Sequence, residues 1–243
     1  DVKVYRRGYH ARMIVPPALF GHEIAGTIEE VGQGVTGFAA GDRVTAANSA
    51  PCGLCEYCRK GRESLCDDLL FWNGAYAEFT LIPARVVGRN LLHVPDDVSL
   101  EKAAMVEPLA CVVRGIEGAG IGPGQSVAVI GVGGVGLMFV ALAKKHGAHV
   151  VAAGRRPGRL ERAASMGAFA TVSGDAGDLA EQLLALSPGG KGFHVVIEAA
   201  GAAETARAAV RVVRKGGIVN FFAGCPAGTE VTGWIEERAN ALL

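Results

Sequence analysis

The sequence predicts an α/β protein in which a mostly-β first part is followed by a doubly wound parallel sheet. Three observations carry this prediction. From Ser126 onward, continuous apolar runs alternate with helical stretches, which implies a parallel sheet covered on both faces. Before Ser99 the apolar residues fall in short runs separated by glycine turns. The chain is 50% hydrophobic and its 35 glycines far outnumber its 9 phenylalanines, a balance that suits tight turns better than a helical bundle.

In the first part, "IAGTIEEVGQG" alternates through Ile24, Gly26 and Ile28 before two glycines end it. "AYAEFTLIP" (75–83) is a second alternating run, stopped by Pro83 and expected as a strand. Ser99 is a good N-cap for a helical stretch, with Glu101 in its first turn, and Pro108 predicts a break within that stretch. Then come strand "SVAVIG", an apolar helix over 134–146 closed by Gly147, strand "HVVAAG", and helix "PGRLERAASM" closed by Gly167. A short strand near Val172, helix 178–186, strand "FHVVIEAAG", helix 204–214 and strand "GIVNFFAG" complete the series. The domain boundary is expected at residue 107, giving domains 1–107 and 108–243.

Acidic and basic residues balance at 24 each, and no apolar run is long enough to span a bilayer. Nucleic acid and membrane are therefore not expected as partners. The basic opening of Lys3, Arg6, Arg7 and Arg12 reads as a solvated loop. The six cysteines are clustered, which favours a reducing compartment, the cytoplasm, over a disulfide framework.

"PCGLCEYCRKGRESLC" sets Cys52, Cys55, Cys58 and Cys66 in C-x2-C-x2-C-x7-C spacing within the loop 51–66. Four thiolates can close a tetrahedron around a structural zinc, and Arg59, Lys60 and Arg62 can offset the resulting charge. A redox pair needs only two cysteines and usually opens a helix. Cys111 and Cys225 stand alone and read as small core residues.

"GVGGVG" places Gly131, Gly133 and Gly136 in G-x-G-x-x-G spacing between an apolar strand and an apolar helix, with Gly134 and Val135 inside the motif. In that context the first glycine permits the turn and the second admits a pyrophosphate. The third lets helix and strand pack closely. The helix start offers free N–H groups to the phosphates. At the end of the next strand, Gly154 occupies the place where NAD binders usually carry an acid, and Arg155 and Arg156 follow. That arrangement favours NADP, whose 2′-phosphate two guanidiniums can hold, with NAD as the other candidate.

"LFGHEIAG" sets His22 beside Glu23 in apolar, glycine-rich surroundings: a buried polar pair, or half of a metal site. Glu107 in "VEPLA" is placed to ligate a metal or to hold one of its ligands, or as a helix-entry acid. Mixed His and carboxylate donors suit an open catalytic zinc better than four thiolates do. Glu198 reads as a strand-end polar group, and His10, His93, His146, His149 and His194 as surface or turn residues.

Taken in order, "GHE", "GDRV", the cysteine loop, "NGAYAEF", "VEPLA", "GVGGVG" and "VIEAAG" resemble the zinc-dependent medium-chain dehydrogenases, specifically their polyol branch. The resemblance runs over nearly all of the chain. It implies a GroES-like catalytic domain followed by a Rossmann domain, and hydride exchange between a nicotinamide and a polyol or secondary alcohol or its ketone. It also implies a small-molecule substrate and a homo-oligomer, dimer or tetramer. By the same resemblance His22, Glu23 and Glu107 approach the catalytic zinc, together with a cysteine expected just upstream of Asp1. Lys3 stands where many relatives carry a proton-relay histidine. Both ends are expected to be truncated. The competing reading is a non-catalytic dinucleotide-binding module stapled by structural zinc. The cysteine loop with "GHE" and "EPL" argues against a zinc-free quinone reductase.

Overall fold

The computed structural model describes residues 18–226 and 228–230, with Val4, Tyr5 and Ile14. The expectations for Asp1, Lys3, the basic opening, His10 and the last thirteen residues lie outside the described residues. By backbone contacts the chain forms two compact units, Asp1–Ala110 and Cys111–Leu243. Among the described residues no helix is long and apolar enough to cross a membrane.

In the first unit, β1 (Ile24–Thr27), β2 (Arg43–Ala46) and β5 (Leu91–His93) form an antiparallel sheet, and β3 (Ser49–Ala50) pairs with β4 (Leu70–Phe71). Ile24, Val44, Ala46, Ala50, Trp72, Val86 and Leu91 make its core. The short helices of this unit include α1 (Glu56–Arg59) in the cysteine loop and α2 (Ala84–Asn90) before β5.

The segment 75–83 is not the strand its alternation predicts. The N–H groups of Gly74 and Ala75 bond to the carbonyl of Gly21, and that of Tyr76 to the carbonyl of Phe20. Ala77 then folds back onto Gly74, so the backbone is committed to a turn. No other segment offers it a strand edge among the described residues, and Tyr76, Phe79 and Leu81 stay exposed.

Ser99 caps α3 (Leu100–Ala103), its side chain accepting from the N–H of Lys102. The expected break falls at Ala104–Met105, before Pro108 rather than at it. Pro108 is the third residue of α4 (Val106–Gly118), where a helix needs no N–H, so the ring is tolerated.

In the second unit five parallel strands run in the order β10 (Val213–Phe221), β9 (Phe193–Glu198), β6 (Ser126–Ile130), β7 (His149–Gly154), β8 (Ala170–Ser173). The direction of winding reverses between β6 and β9, which opens a crevice at the carboxyl ends of those strands. The pleat sorts the core. Val127, Val129, Val150, Ala152, Val195 and Ile197 face one way, against Val112 and Ile116 of α4 and Phe139, Val140 and Ala143 of α5 (Gly134–Lys145). Ala128, Ile130, Val151, Ala153 and Val196 face the other, against α7 (Leu179–Ala185) and α8 (Ala203–Val212). Helix α6 (Pro157–Ser165) contributes Ala163 to the first of these layers. This is the doubly wound sheet that the alternating pattern predicts.

His194 is not a surface or turn residue. It lies half-buried in β9, and its Nδ1 is 3.1 Å from the N–H of Ser126 and 2.8 Å from the Ser126 hydroxyl. The N–H donates into Nδ1, which fixes that nitrogen as the unprotonated one. Burial, and then the charge of Arg214, pull the imidazole below its ordinary range near 6.5.

Two outcomes test this packing. Phe139 is fully buried and sits edge-on to Phe222 at 4.9 Å between ring centroids, so Phe139→Ala should lower unfolding stability by about 3–5 kcal/mol in urea titrations. His194 is held neutral in the fold, so below pH 6.5 the unfolded chain takes up its proton first. Stability should therefore fall as pH drops from 6.5 toward the depressed folded value and be fully present above 6.5. His194→Gln should flatten that part of the stability–pH curve.

Candidate functional site

The first cluster is the cysteine loop. All four Sγ atoms lie within 4.8 Å of one another, and Cys52, Cys55 and Cys58 are half-buried. Backbone N–H groups aim at the sulfurs: Leu54 (3.3 Å) and Cys55 (3.4 Å) at Cys52, Cys58 (3.5 Å) at Cys55, and Cys52 (3.2 Å) at Cys66. The two N–H bonds on Cys52 bring its thiol down to about 6, and the N–H of Cys58 lowers Cys55. Burial beside the other sulfurs pushes Cys58 up to about 12. Four converging sulfurs with N–H support fit a closed tetrahedral zinc.

The loop's own cations are partly spent elsewhere. Lys60 pairs with Glu56 at 2.5 Å, and Arg59 donates to the carbonyl of Leu54 at 2.8 Å. The guanidinium lying against the loop comes from α2 instead: a Cβ on Gly53 would fall 2.0 Å from Arg89. One helical turn earlier, Arg85 pairs with Asp68 at 2.9 Å. These residues give no signal in the sequence because their helix falls in a segment without helical periodicity.

The second cluster is His22, Glu23 and Glu107, whose donor atoms also lie within 4.8 Å of one another. His22 and Glu23 enter β1. Glu107 sits in the first turn of α4. The distance in sequence is closed by ties to β2. Thr45 Oγ1 lies 2.7 Å from the carbonyl of Ile24 and 3.1 Å from that of Ala103, and Arg43 grips the carbonyls of Pro95, Asp96 and Val98 ahead of α3. Gly21 sets the angle of entry. Its φ is 92°, and a Cβ there would strike Ala75 and Tyr76 at 2.8 Å. One imidazole and two carboxylates are a mixed donor set, which suits a catalytic zinc better than a closed structural one. Tetrahedral donors stand about 3.3–3.8 Å apart, so the trio needs only a small closing movement.

The third site is a cleft of about 790 Å³ at the carboxyl ends of β6, β7 and β9. Gly131, Gly133, Arg155 and Arg156 line it; Gly134 and Val135 open α5 behind the lining, and Gly136 is buried. Each glycine has its own reason. Gly131 has φ 103°, and a Cβ would lie 2.7 Å from the Ala200 nitrogen. A Cβ on Gly136 would lie 1.8 Å from the Gly131 oxygen. A Cβ on Gly133 or Gly134 would meet nothing closer than 4.0 Å, which leaves the helix start open to a ligand. Gly154 does more than leave room: a Cβ there would strike Val132 at 2.3 Å. Five guanidiniums line the cleft, of Arg155, Arg156, Arg159, Arg207 and Arg211, against the carboxylates of Asp175, Asp178 and Glu204. Arg211 bonds to Asp178 at 2.9 Å and, with the N–H of Glu181, holds that carboxyl below its usual range. The remaining excess is positive and suits an anionic ligand. Arg159, the last residue of "GRRPGR", is a third cation of the same segment and also lines the cleft.

Two family models match the chain in tandem: the alcohol dehydrogenase GroES-like domain over residues 1–96 and the zinc-binding dehydrogenase over residues 134–238. D-xylulose reductase A of Aspergillus niger is 33% identical over 242 residues, covering 96% of this chain and 66% of that protein. D-altritol 5-dehydrogenase of Agrobacterium fabrum is 36% identical over 241 residues, covering 96% and 67%. A Sinorhizobium meliloti structure, assigned as a zinc-binding dehydrogenase and bound to NADP, superposes with a TM-score of 0.83 at 34% identity, covering 93% of this chain and 68% of that one. The chain thus spans 62% to 67% of the length of the curated relatives it matches. A GroES-like half with two converging donor clusters, a doubly wound half with the glycine turn, and these likenesses agree: the chain belongs to the zinc-dependent medium-chain dehydrogenase family.

Proposed function

We propose that the protein is an oxidoreductase exchanging a hydride between NADP and a polyol or secondary alcohol and its ketone. The convergence of His22, Glu23 and Glu107 on one point carries this reading, because mixed imidazole and carboxylate donors suit a catalytic zinc better than four thiolates do. The names of its relatives, which concern xylulose and altritol, support the polyol class. Zinc, when bound, polarises the alcohol or carbonyl oxygen, and the nicotinamide takes or returns the hydride.

The chain's own residues supply position and charge. His22 would offer an imidazole nitrogen, and Glu23 and Glu107 carboxylate oxygens, to the catalytic ion. Cys52, Cys55, Cys58 and Cys66 hold a second ion that keeps the loop 51–66 folded. The N–H groups at the start of α5 receive the pyrophosphate, and Gly133 lets it approach. Arg155 and Arg156 pair with the 2′-phosphate of NADP, and Gly154 puts no carboxylate in its way. We assign the catalytic ion to domain 1–107 and the dinucleotide to domain 108–243. The unbridged cysteine cluster and the family resemblance favour a cytoplasmic homo-oligomer.

The protein should bind two zinc ions per chain by elemental analysis, and a polyol should drive NADPH formation. His22→Ala should leave one zinc and abolish turnover, whereas Cys55→Ser should remove the other zinc and lower the melting temperature. One zinc, bound dinucleotide and no turnover in the unmodified chain would instead support the non-catalytic module. Replacing Arg155 and Arg156 by serine should weaken NADPH about 10- to 100-fold in fluorescence titrations and leave NADH nearly unchanged. Equal loss for both cofactors would remove the 2′-phosphate assignment.

A further inference from the structure

Glu198 is fully buried at the end of β9, opposite Ile130 of β6. Its Oε1 accepts three hydrogen bonds: from the N–H of Ala200 (3.0 Å), the N–H of Gly201 (2.9 Å) and the hydroxyl of Thr205 (2.7 Å). Its main-chain carbonyl accepts from Phe222 and Ala223, both at 3.0 Å. One residue therefore fixes the loops leaving both β9 and β10.

The peptide so held presses on the glycine turn. An ideal Cβ on Gly131 would lie 2.7 Å from the Ala200 nitrogen and 2.8 Å from the Ala199 carbonyl carbon. Ala199, Ala200 and Thr205 also line the cleft. The second carboxylate oxygen, Oε2, is buried and has no hydrogen-bond partner. Burying an acid with one oxygen idle is costly for stability, so stability is a poor reason for its being there.

We infer that Glu198 is a positioning residue of the dinucleotide site. Its Oε1 holds the 199–201 turn as a rigid floor beneath Gly131, and this floor aims the free N–H groups of α5 at the pyrophosphate. The inference rests on the dinucleotide reading above. Because a single oxygen makes every side-chain contact, the site uses an acceptor at a fixed reach and not a charge. Glutamine supplies that oxygen at the same reach, and alanine does not.

The test is NADPH affinity of the zinc-loaded full chain, measured by fluorescence titration beside zinc content and melting temperature. Glu198→Ala should raise the dissociation constant about tenfold with zinc content unchanged. Glu198→Gln should stay within about threefold of the unmodified protein, even if its melting temperature moves. Thr205→Val, which removes one donor to Oε1 and the acceptor for the Ala202 N–H without opening a cavity, should raise the constant by about threefold, and it is the deciding variant if Glu198→Ala does not fold. A glutamine variant as weak as alanine, or a Thr205→Val chain binding like the unmodified one, would overturn the inference. An unmodified chain that binds no dinucleotide would overturn the parent reading instead.

Discussion

The carbonyl oxygen of Gly131 occupies the space that any side chain on Gly136 would need. That contact lets the start of α5 close over the end of β6, and much of the second unit follows from it. With α5 seated, Phe139, Val140 and Ala143 reach the sheet face built by Val127 and Val129. The helix start then stands at the carboxyl edge of the sheet, beside the point where the strand order reverses. A close approach between two backbones thus sets both the packing and the direction in which the helix N–H groups point.

The first unit uses glycine differently. Gly21 supplies a left-handed backbone where the 74–76 turn would collide with a side chain, and the carbonyls of Phe20 and Gly21 accept from the N–H groups of that turn. His22 and Glu23 are presented by this packing. Glu107 is brought to them by Thr45 and Arg43, neither of which carries the chemistry. The cysteine loop is likewise held from outside, by Arg89 against Gly53, while Arg85 one helical turn earlier pairs with Asp68 just beyond the loop.

The second unit was legible because its signals are local and repeated. Apolar strands, amphipathic helices and closing glycines lie within a few residues of one another, and each agrees with its neighbours. The four cysteines and the glycine turn were legible for the same reason: their spacing is their function. The run 75–83 misled because alternation reports the sequence of one strand and not whether an edge exists to receive it. Arg89, Gly21 and Glu198 act through partners distant in sequence or through backbone geometry, which periodicity does not encode. For Glu198, the expectation of a strand-end polar group described its address but not its three bonds.

The tie between Ser126 and His194 joins segments 68 residues apart, and this separation bears on how the protein is made. On the ribosome β6 emerges first and gains β7 soon afterwards, but its other edge waits for β9. At usual rates of synthesis that wait is about 3–14 seconds. During it the strand "SVAVI", all five residues of which are buried in the finished fold, has one unpaired edge, a template for pairing with another nascent chain. The central strand, the best protected part of the finished molecule, is its most vulnerable part during synthesis.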